Sequence, residues 1–376
     1  MTIAIDVSRA VNEKAGVGKY TKNLVENLLK IDTEDDFLLF FNFWRNYKTK
    51  KQQAEIYKQA KTQIYCSRFP GLVKEGILRS HFGFYGKKLA KAQLFLAPTF
   101  LDIDLSLKIP QVVVIHDLSM FLFPQHLGQK KSDKYQQITK LACAKAQKII
   151  AVSYSTKKDL TKILKVPEKK ITVIYPGLIK FTKIAQNLPN NLKPKTYILT
   201  VGTVEPRKNL KNLLTAYSLL PMALKEKYPL VIVGAYGWNV SQDLKEVKDI
   251  KNIIILGYIA NDELAKLYKE ARVFVYPSLY EGFGLPIIEA MQFGTPVITS
   301  NISSMPEVAG KAGILIDPKD PKNISQAIQN ILEEKIDRNK LVKLSKDQAN
   351  KFFWQDTAQE TLKVMQDIVV EKNIHN

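Results

Sequence analysis

The stretch Val273-Phe274-Val275-Tyr276-Pro277-Ser278-Leu279-Tyr280-Glu281-Gly282-Phe283-Gly284-Leu285-Pro286-Ile287-Ile288-Glu289 carries the fold in miniature. Val273–Tyr276 is an unbroken apolar run, the pattern of a strand buried on both faces of a parallel sheet. A loop with two glycines follows. Pro286 then opens a helix expected over Pro286–Phe293, since proline in the first turn has no amide to leave unpaired. Such a helix start collects anions on its free amides. Glu281 and Glu289, on either side of the loop, can accept hydrogen bonds from the hydroxyls of a sugar or a ribose.

The same rhythm runs outward in both directions. Strands are expected at Thr2–Val7, Phe37–Phe43, Thr62–Cys66, Gln93–Ala97, Val112–His116, Lys148–Ser153 and Thr172–Tyr175, and again at Tyr197–Gly202, Leu230–Val233, Ile253–Leu256, Val297–Ser300 and Gly313–Ile316. Helices are expected between them, among them Val17–Leu29, Lys131–Ala146, Tyr154–Leu164, Leu210–Leu219, Asp262–Glu270 and Pro321–Glu334. Strands alternating with helices imply parallel sheets, so the fold class is α/β with two doubly wound, Rossmann-like domains over residues 1–176 and 196–350. Gly177–Lys195, rich in proline and asparagine and without a period, reads as the linker. Residues 351–376 read as a separate helix crossing back to the N-terminal domain. Ligands of open parallel sheets bind at the carboxyl ends of the strands, so two such domains face to face would enclose one deep cleft.

Composition narrows the function. The 376 residues are 45% hydrophobic and 24% charged, ordinary for a globular protein and enough for two cores. With only Cys66 and Cys143 and 4 histidines, neither a disulfide scaffold nor a Cys/His zinc cluster is expected. The opening Met1–Asp6 meets a carboxylate before any long apolar run, so no signal peptide is read there and a cytoplasmic protein is expected. Of the net charge of +20, residues 1–200 hold 34 Lys/Arg against 15 Asp/Glu, or +19, leaving +1 for the remainder. The basic first half has two explanations: a lysine-rich solvated surface, or a face turned to something anionic such as a membrane leaflet, a phosphorylated acceptor or nucleic acid. Ser67–Lys91 interleaves basic residues with Phe69, Leu72, Leu78, Phe82, Phe84, Tyr85 and Leu89, a mixture that suits either a headgroup surface or an ordinary amphipathic helix.

Two further loops carry chemistry. Gly16-Val17-Gly18-Lys19-Tyr20-Thr21 opens the first long helix; it is either a phosphate-facing loop or a plain glycine turn. It is not a dinucleotide fingerprint, because the third glycine is absent. Gly202-Thr203-Val204-Glu205-Pro206-Arg207-Lys208-Asn209 lies between a buried strand and a helix that Asn209 can cap. Arg207 and Lys208 there are either a surface pair or an anion clamp, a guanidinium fork joined to a mobile point charge. His116, at the end of an apolar strand, is either a structural hydrogen bonder or part of the site. Asp102-Ile103-Asp104 matches a metal-binding string but lies in an expected loop, and is treated as chance.

In order and placement these residues resemble the retaining nucleotide-sugar glycosyltransferases of family 4, which have the GT-B fold. Glu281–Glu289 is similar to that family's glutamate–seven–glutamate motif, and the likeness extends over nearly the whole chain: the Gly16–Thr21 loop, His116-Asp117, Ala151-Val152-Ser153, Tyr175-Pro176-Gly177, Glu205–Asn209, Tyr276-Pro277-Ser278 and Phe353-Trp354. The resemblance implies that Glu289 holds the ribose hydroxyls. It implies that Glu281 contacts the donor sugar, with the amides of Phe283, Gly284 and Leu285 at the sugar and diphosphate. Arg207 and Lys208 would bind the pyrophosphate, Gly16 and Gly18 would close on it, and the turn holding Tyr258 would receive the base. His116, with Asp117 beside it, would meet the sugar near the reacting carbon. Some members carry another arginine where Gly202 or Thr203 stands, so the clamp here is thinner.

The resemblance further implies transfer of a hexose, mannose or rhamnose, from a nucleotide-diphosphate sugar to a glycan or lipid-linked acceptor in surface polysaccharide assembly, with no metal or other cofactor. Rival assignments are a nucleotide-sugar epimerase on the same fold and a basic nucleic-acid-binding protein. The neutral second half argues against the latter.

Overall fold

The computed structural model describes residues 1–12, 16–32, 34–80, 85–203, 205–234 and 252–374, in two compact units. Unit 1 is Met1–Gly177 with Phe353–Asn376; unit 2 is Leu178–Phe352. Of residues named above, Phe82, Phe84 and Val204 lie outside the described residues.

In unit 1, β1 (Thr2–Asp6), β2 (Asp36–Asn42), β3 (Thr62–Ser67), β4 (Leu94–Ala97), β5 (Gln111–Ile115), β6 (Lys148–Ala151) and β7 (Ile171–Val173) form a parallel sheet in the order β3-β2-β1-β4-β5-β6-β7. In unit 2, β8 (Ile198–Val201), β9 (Leu230–Val233), β10 (Ile253–Gly257), β11 (Val273–Tyr276), β12 (Val297–Ser300) and β13 (Gly313–Ile316) form a second parallel sheet, ordered β10-β9-β8-β11-β12-β13. Each expected strand is present, with ends moved by a residue or two. Both orders reverse direction once, between β1 and β4 and between β8 and β11, which is the doubly wound topology.

Helices cover these sheets with apolar faces. The helix Val17–Ile31 buries Tyr20, Leu24, Val25 and Leu28, and the final helix, Trp354–Ile374, packs against it within unit 1. Gly177 allows that return: a Cβ there would sit 2.2 Å from the Trp354 amide nitrogen. Thr357 Oγ1 donates to the Tyr175 carbonyl at 2.7 Å and pins the same junction. Residues 178–195 belong to unit 2, where Lys195 N donates to the Glu270 carbonyl at 2.7 Å.

The Ser67–Lys91 segment is not one surface helix. Its helix spans Gly71–Leu78, and Lys74, Leu78, Tyr85 and Leu89 are buried. Lys74 crosses to Asp6 at the end of β1 and lies 3.7 Å from Asp102 just past β4; Tyr85 donates to Asp6 at 2.6 Å. Arg9 Nε completes the cluster, 3.3 Å from Asp102. Burial alone would raise the Asp6 carboxyl, but the charge and hydrogen bond of Lys74 bring it below its ordinary value. Asp104, also buried, accepts from Ser106. Lys74→Met should therefore leave two buried carboxylates short of a cation and cost about 3–5 kcal/mol of stability, read as a lowered urea midpoint.

Candidate active site at the β8–β11 switch point

The reversal of strand order between β8 and β11 is where an open parallel sheet receives its ligand. After β8 the chain enters a short 3-10 turn, Pro206–Lys208; after β11 it runs through Glu281 into the helix Leu285–Met291. These loops lock together. Leu279 N donates to the Arg207 carbonyl at 2.8 Å, and Arg207 Nη1 donates to the Tyr280 carbonyl at 2.9 Å.

Their side chains form one buried ionic cluster. Arg207 donates to Glu281 Oε2 at 2.7 Å and to Glu205 Oε1 at 2.6 Å. Lys208 Nζ donates to Glu281 Oε1 at 2.5 Å and to the Tyr276 hydroxyl at 2.7 Å, and that hydroxyl donates to the same Oε1 at 2.8 Å. Burial would raise the Glu281 carboxyl, yet Arg207, Lys208 and the phenol hold it at about 2. The Tyr276 phenol is pushed well up, by burial first and then by Glu281, so it stays a donor. Two cations and two carboxylates thus balance within the cluster. An incoming dianion would draw the cations off Glu281 and free its oxygens for hydroxyl groups.

The glycine loop is braced from behind by two serines. Ser303 Oγ donates to the Glu281 carbonyl at 2.7 Å, and Ser304 Oγ donates to the carbonyls of Glu281 and Phe283 at 2.9 and 2.8 Å. Gly284 has φ +102, a backbone that other residues rarely adopt, and a Cβ there would lie 3.2 Å from the Ile287 side chain. Phe283 and Gly284 are buried, and Leu285 half-buried. Glu289, one turn into the helix, is only 6% exposed and accepts from the Tyr268 hydroxyl at 3.0 Å. A plain surface charge it is not.

Asn209 departs from expectation. It stands at the start of the helix Leu210–Ser218 but in a left-handed conformation, and its side chain makes no capping bond. Instead Nδ2 donates to the carbonyls of Pro277 and Pro318 at 2.9 and 2.6 Å, tying the loops after β8, β11 and β13. Tyr258 follows Gly257 at the end of β10 and is exposed.

Of the residues expected in unit 1, His116 and Asp117 sit at the carboxyl end of β5. His116, just past β5, is bound through Nε2 to the Pro98 carbonyl at 2.9 Å and packs edge-on against Tyr20 at 4.7 Å. A carbonyl can only accept, so Nε2 carries the proton and Nδ1 is left as an acceptor. Burial pushes the His116 pKa down, and the ring is neutral. Asp117 accepts from the amide and hydroxyl of Ser119, opening the short helix Ser119–Leu122. Gly16, exposed with φ +53, precedes the helix Val17–Ile31, whereas Gly18 is buried inside its first turn. Sequence singles out none of Tyr268, Ser303 and Ser304; it marks Tyr276 only as part of Tyr276-Pro277-Ser278, with no role assigned. Among the described residues no cluster of three His, Cys, Asp or Glu could hold a metal ion, and no helix is long and apolar enough to cross a membrane.

Comparison with known proteins identifies the family. Residues 180–348 match the family model for glycosyl transferases group 1, and residues 89–178 match that for glycosyltransferase family 4. O-antigen chain mannosyltransferase B of Escherichia coli is 35% identical over 263 residues, 67% of this chain and 68% of that protein. Serotype-specific mannosyltransferase WbdA of Escherichia coli is 30% identical over 261 residues, 66% of this chain but only 32% of that longer protein. Among solved structures, the sucrose-phosphate synthase of Thermosynechococcus elongatus superposes with a TM-score of 0.76 at 20% identity, covering 99% of this chain and 100% of the other. Anabaena HepE in complex with UDP and glucose gives 0.68 at 18%, covering 97% and 99%. The two likenesses establish a shared GT-B fold, and with the family matches and the Escherichia coli relative they show that the chain belongs to glycosyltransferase family 4.

Proposed function

We propose that the protein transfers mannose, with retention of configuration, from GDP-mannose to a lipid-diphosphate-linked glycan in surface polysaccharide assembly, at the inner face of the cytoplasmic membrane. The observation that carries this is the Arg207–Glu281–Lys208 cluster at the switch point of unit 2. It supplies positive charge where a leaving diphosphate gathers negative charge, in a site shielded from water. That supports a reaction needing no metal. The bond between the anomeric carbon and the phosphate oxygen breaks, the acceptor oxygen bonds the same carbon from the same face, and its proton passes to the departing phosphate oxygen. Glu289, oriented by Tyr268, reads the ribose hydroxyls. Mannose is favoured over rhamnose because the relatives cited are named mannosyltransferases.

A thermal-shift panel of GDP, UDP and dTDP tests the donor: GDP should raise the melting temperature most. Glu289→Ala should abolish most of that shift, and Tyr268→Phe should shrink it while leaving the unliganded protein folded. Incubating GDP-mannose with and without a glycan acceptor separates transfer from epimerisation, since an epimerase would convert the donor alone.

A further inference from the structure

The large exposed apolar residues of unit 1 include a group beside the carboxyl ends of β2 and β3. Trp44, on the loop leaving β2, is 52% exposed; Phe69, Leu72 and Val73, just past β3, are 41%, 76% and 44% exposed. β2 and β3 are neighbours, with Asn42 opposite Ser67, so these loops leave the sheet side by side. Asn42 braces them: Nδ2 donates to the Phe69 carbonyl at 3.0 Å and Oδ1 accepts from the Phe69 amide at 2.9 Å. The Arg68 guanidinium stands 5.9 Å from the Trp44 ring and 6.0 Å from that of Tyr47. Exposure here is built into the fold.

Charge points the same way. Residues 43–54 and 67–73 contain Arg45, Lys48, Lys50, Lys51 and Arg68, and no aspartate or glutamate. The helix Gly71–Leu78 turns Lys74 and Leu78 inward and leaves Leu72 and Val73 outward. An aliphatic tip, ringed by tryptophan and arginine and backed by lysines, matches a bilayer interface in order of depth: hydrocarbon, headgroup, anionic surface. Each lysine or arginine near such a surface strengthens the attraction. A nucleic acid would use the charges and the rings but leave Leu72 and Val73 in water.

We propose that the surface formed by Trp44, Arg68, Phe69, Leu72 and Val73, with the adjacent lysines, docks the protein on an anionic lipid bilayer. The inference deepens the proposed function, on which it rests for its purpose: it brings the enzyme to a lipid-linked acceptor.

Co-sedimentation of the full chain with vesicles tests it. Binding is expected to phosphatidylcholine vesicles carrying about 30% phosphatidylglycerol, to weaken in high salt and to be absent with phosphatidylcholine alone. The double variant Phe69→Ser, Leu72→Asp should lose about tenfold or more in vesicle partitioning. Its melting temperature, its GDP response and its transfer to a water-soluble glycan should stay at wild-type levels. Wild-type protein that ignores anionic vesicles, or a variant that binds them as well as wild type, would overturn the proposal, as would equal binding to neutral vesicles. If vesicle binding follows the expected pattern but no acceptor is glycosylated, docking stands and the proposed transfer fails.

Discussion

Arg207→Ala is expected to lower turnover with the nucleotide sugar by about 10²–10³-fold, equivalent to about 3–4 kcal/mol of transition-state stabilisation. The guanidinium lies in the β8–β11 switch point and donates to Glu205, Glu281 and the Tyr280 carbonyl. In the reaction its charge would be needed most when the diphosphate leaves, so the loss falls on kcat at least as much as on KM. Stability should change less, by about 1–3 kcal/mol, because Lys208 and Tyr276 still partner Glu281. Steady-state kinetics and a urea titration on the same preparation separate the two. A variant whose activity falls only in proportion to its unfolded fraction would deny Arg207 a role in transfer.

Glu281→Gln has the opposite character: it should destabilise the unliganded protein by about 3–5 kcal/mol, since Arg207 and Lys208 would share a buried site without their common carboxylate. An anion should replace the missing charge, so inorganic pyrophosphate should raise the melting temperature of Glu281→Gln more than that of the wild type. Acid should mimic the substitution. The folded-state pKa of Glu281, about 2, lies below its ordinary value of 4.5, so its stabilisation is present above the ordinary value and is lost as pH falls from there toward 2. The shift corresponds to about 3 kcal/mol. Glu281→Gln should therefore flatten the acid limb of a stability-against-pH curve recorded by urea unfolding.

Much of this architecture was legible in the chain because parallel strands buried on both faces leave continuous apolar runs, such as Val112–Ile115 and Leu230–Val233. The glycine loop and its two glutamates were legible for a local reason, a proline and glycines within a few residues of each other. What escaped was tertiary. Tyr268 meets Glu289 across 21 residues and Ser304 meets Glu281 across 23, distances over which no periodicity speaks. Asn209 carries the composition of a helix cap, but its backbone is left-handed and its side chain is held by donating to the Pro277 and Pro318 carbonyls instead. Lys74 looked like one more surface lysine in a basic segment; only the folded sheet brings it to Asp6 and Asp102. The helix Arg338–Ala349, polar along most of its length, gave no apolar stripe to find.

The most direct measurement is a crystal structure of the protein with GDP-mannose, or with GDP if the donor is consumed. Diphosphate oxygens are expected within hydrogen-bond reach, about 3 Å, of both Arg207 and Lys208, with Glu281 released from them and Glu289 on the ribose hydroxyls. A nucleotide bound elsewhere, with Arg207 and Lys208 still closed on Glu281, would contradict it.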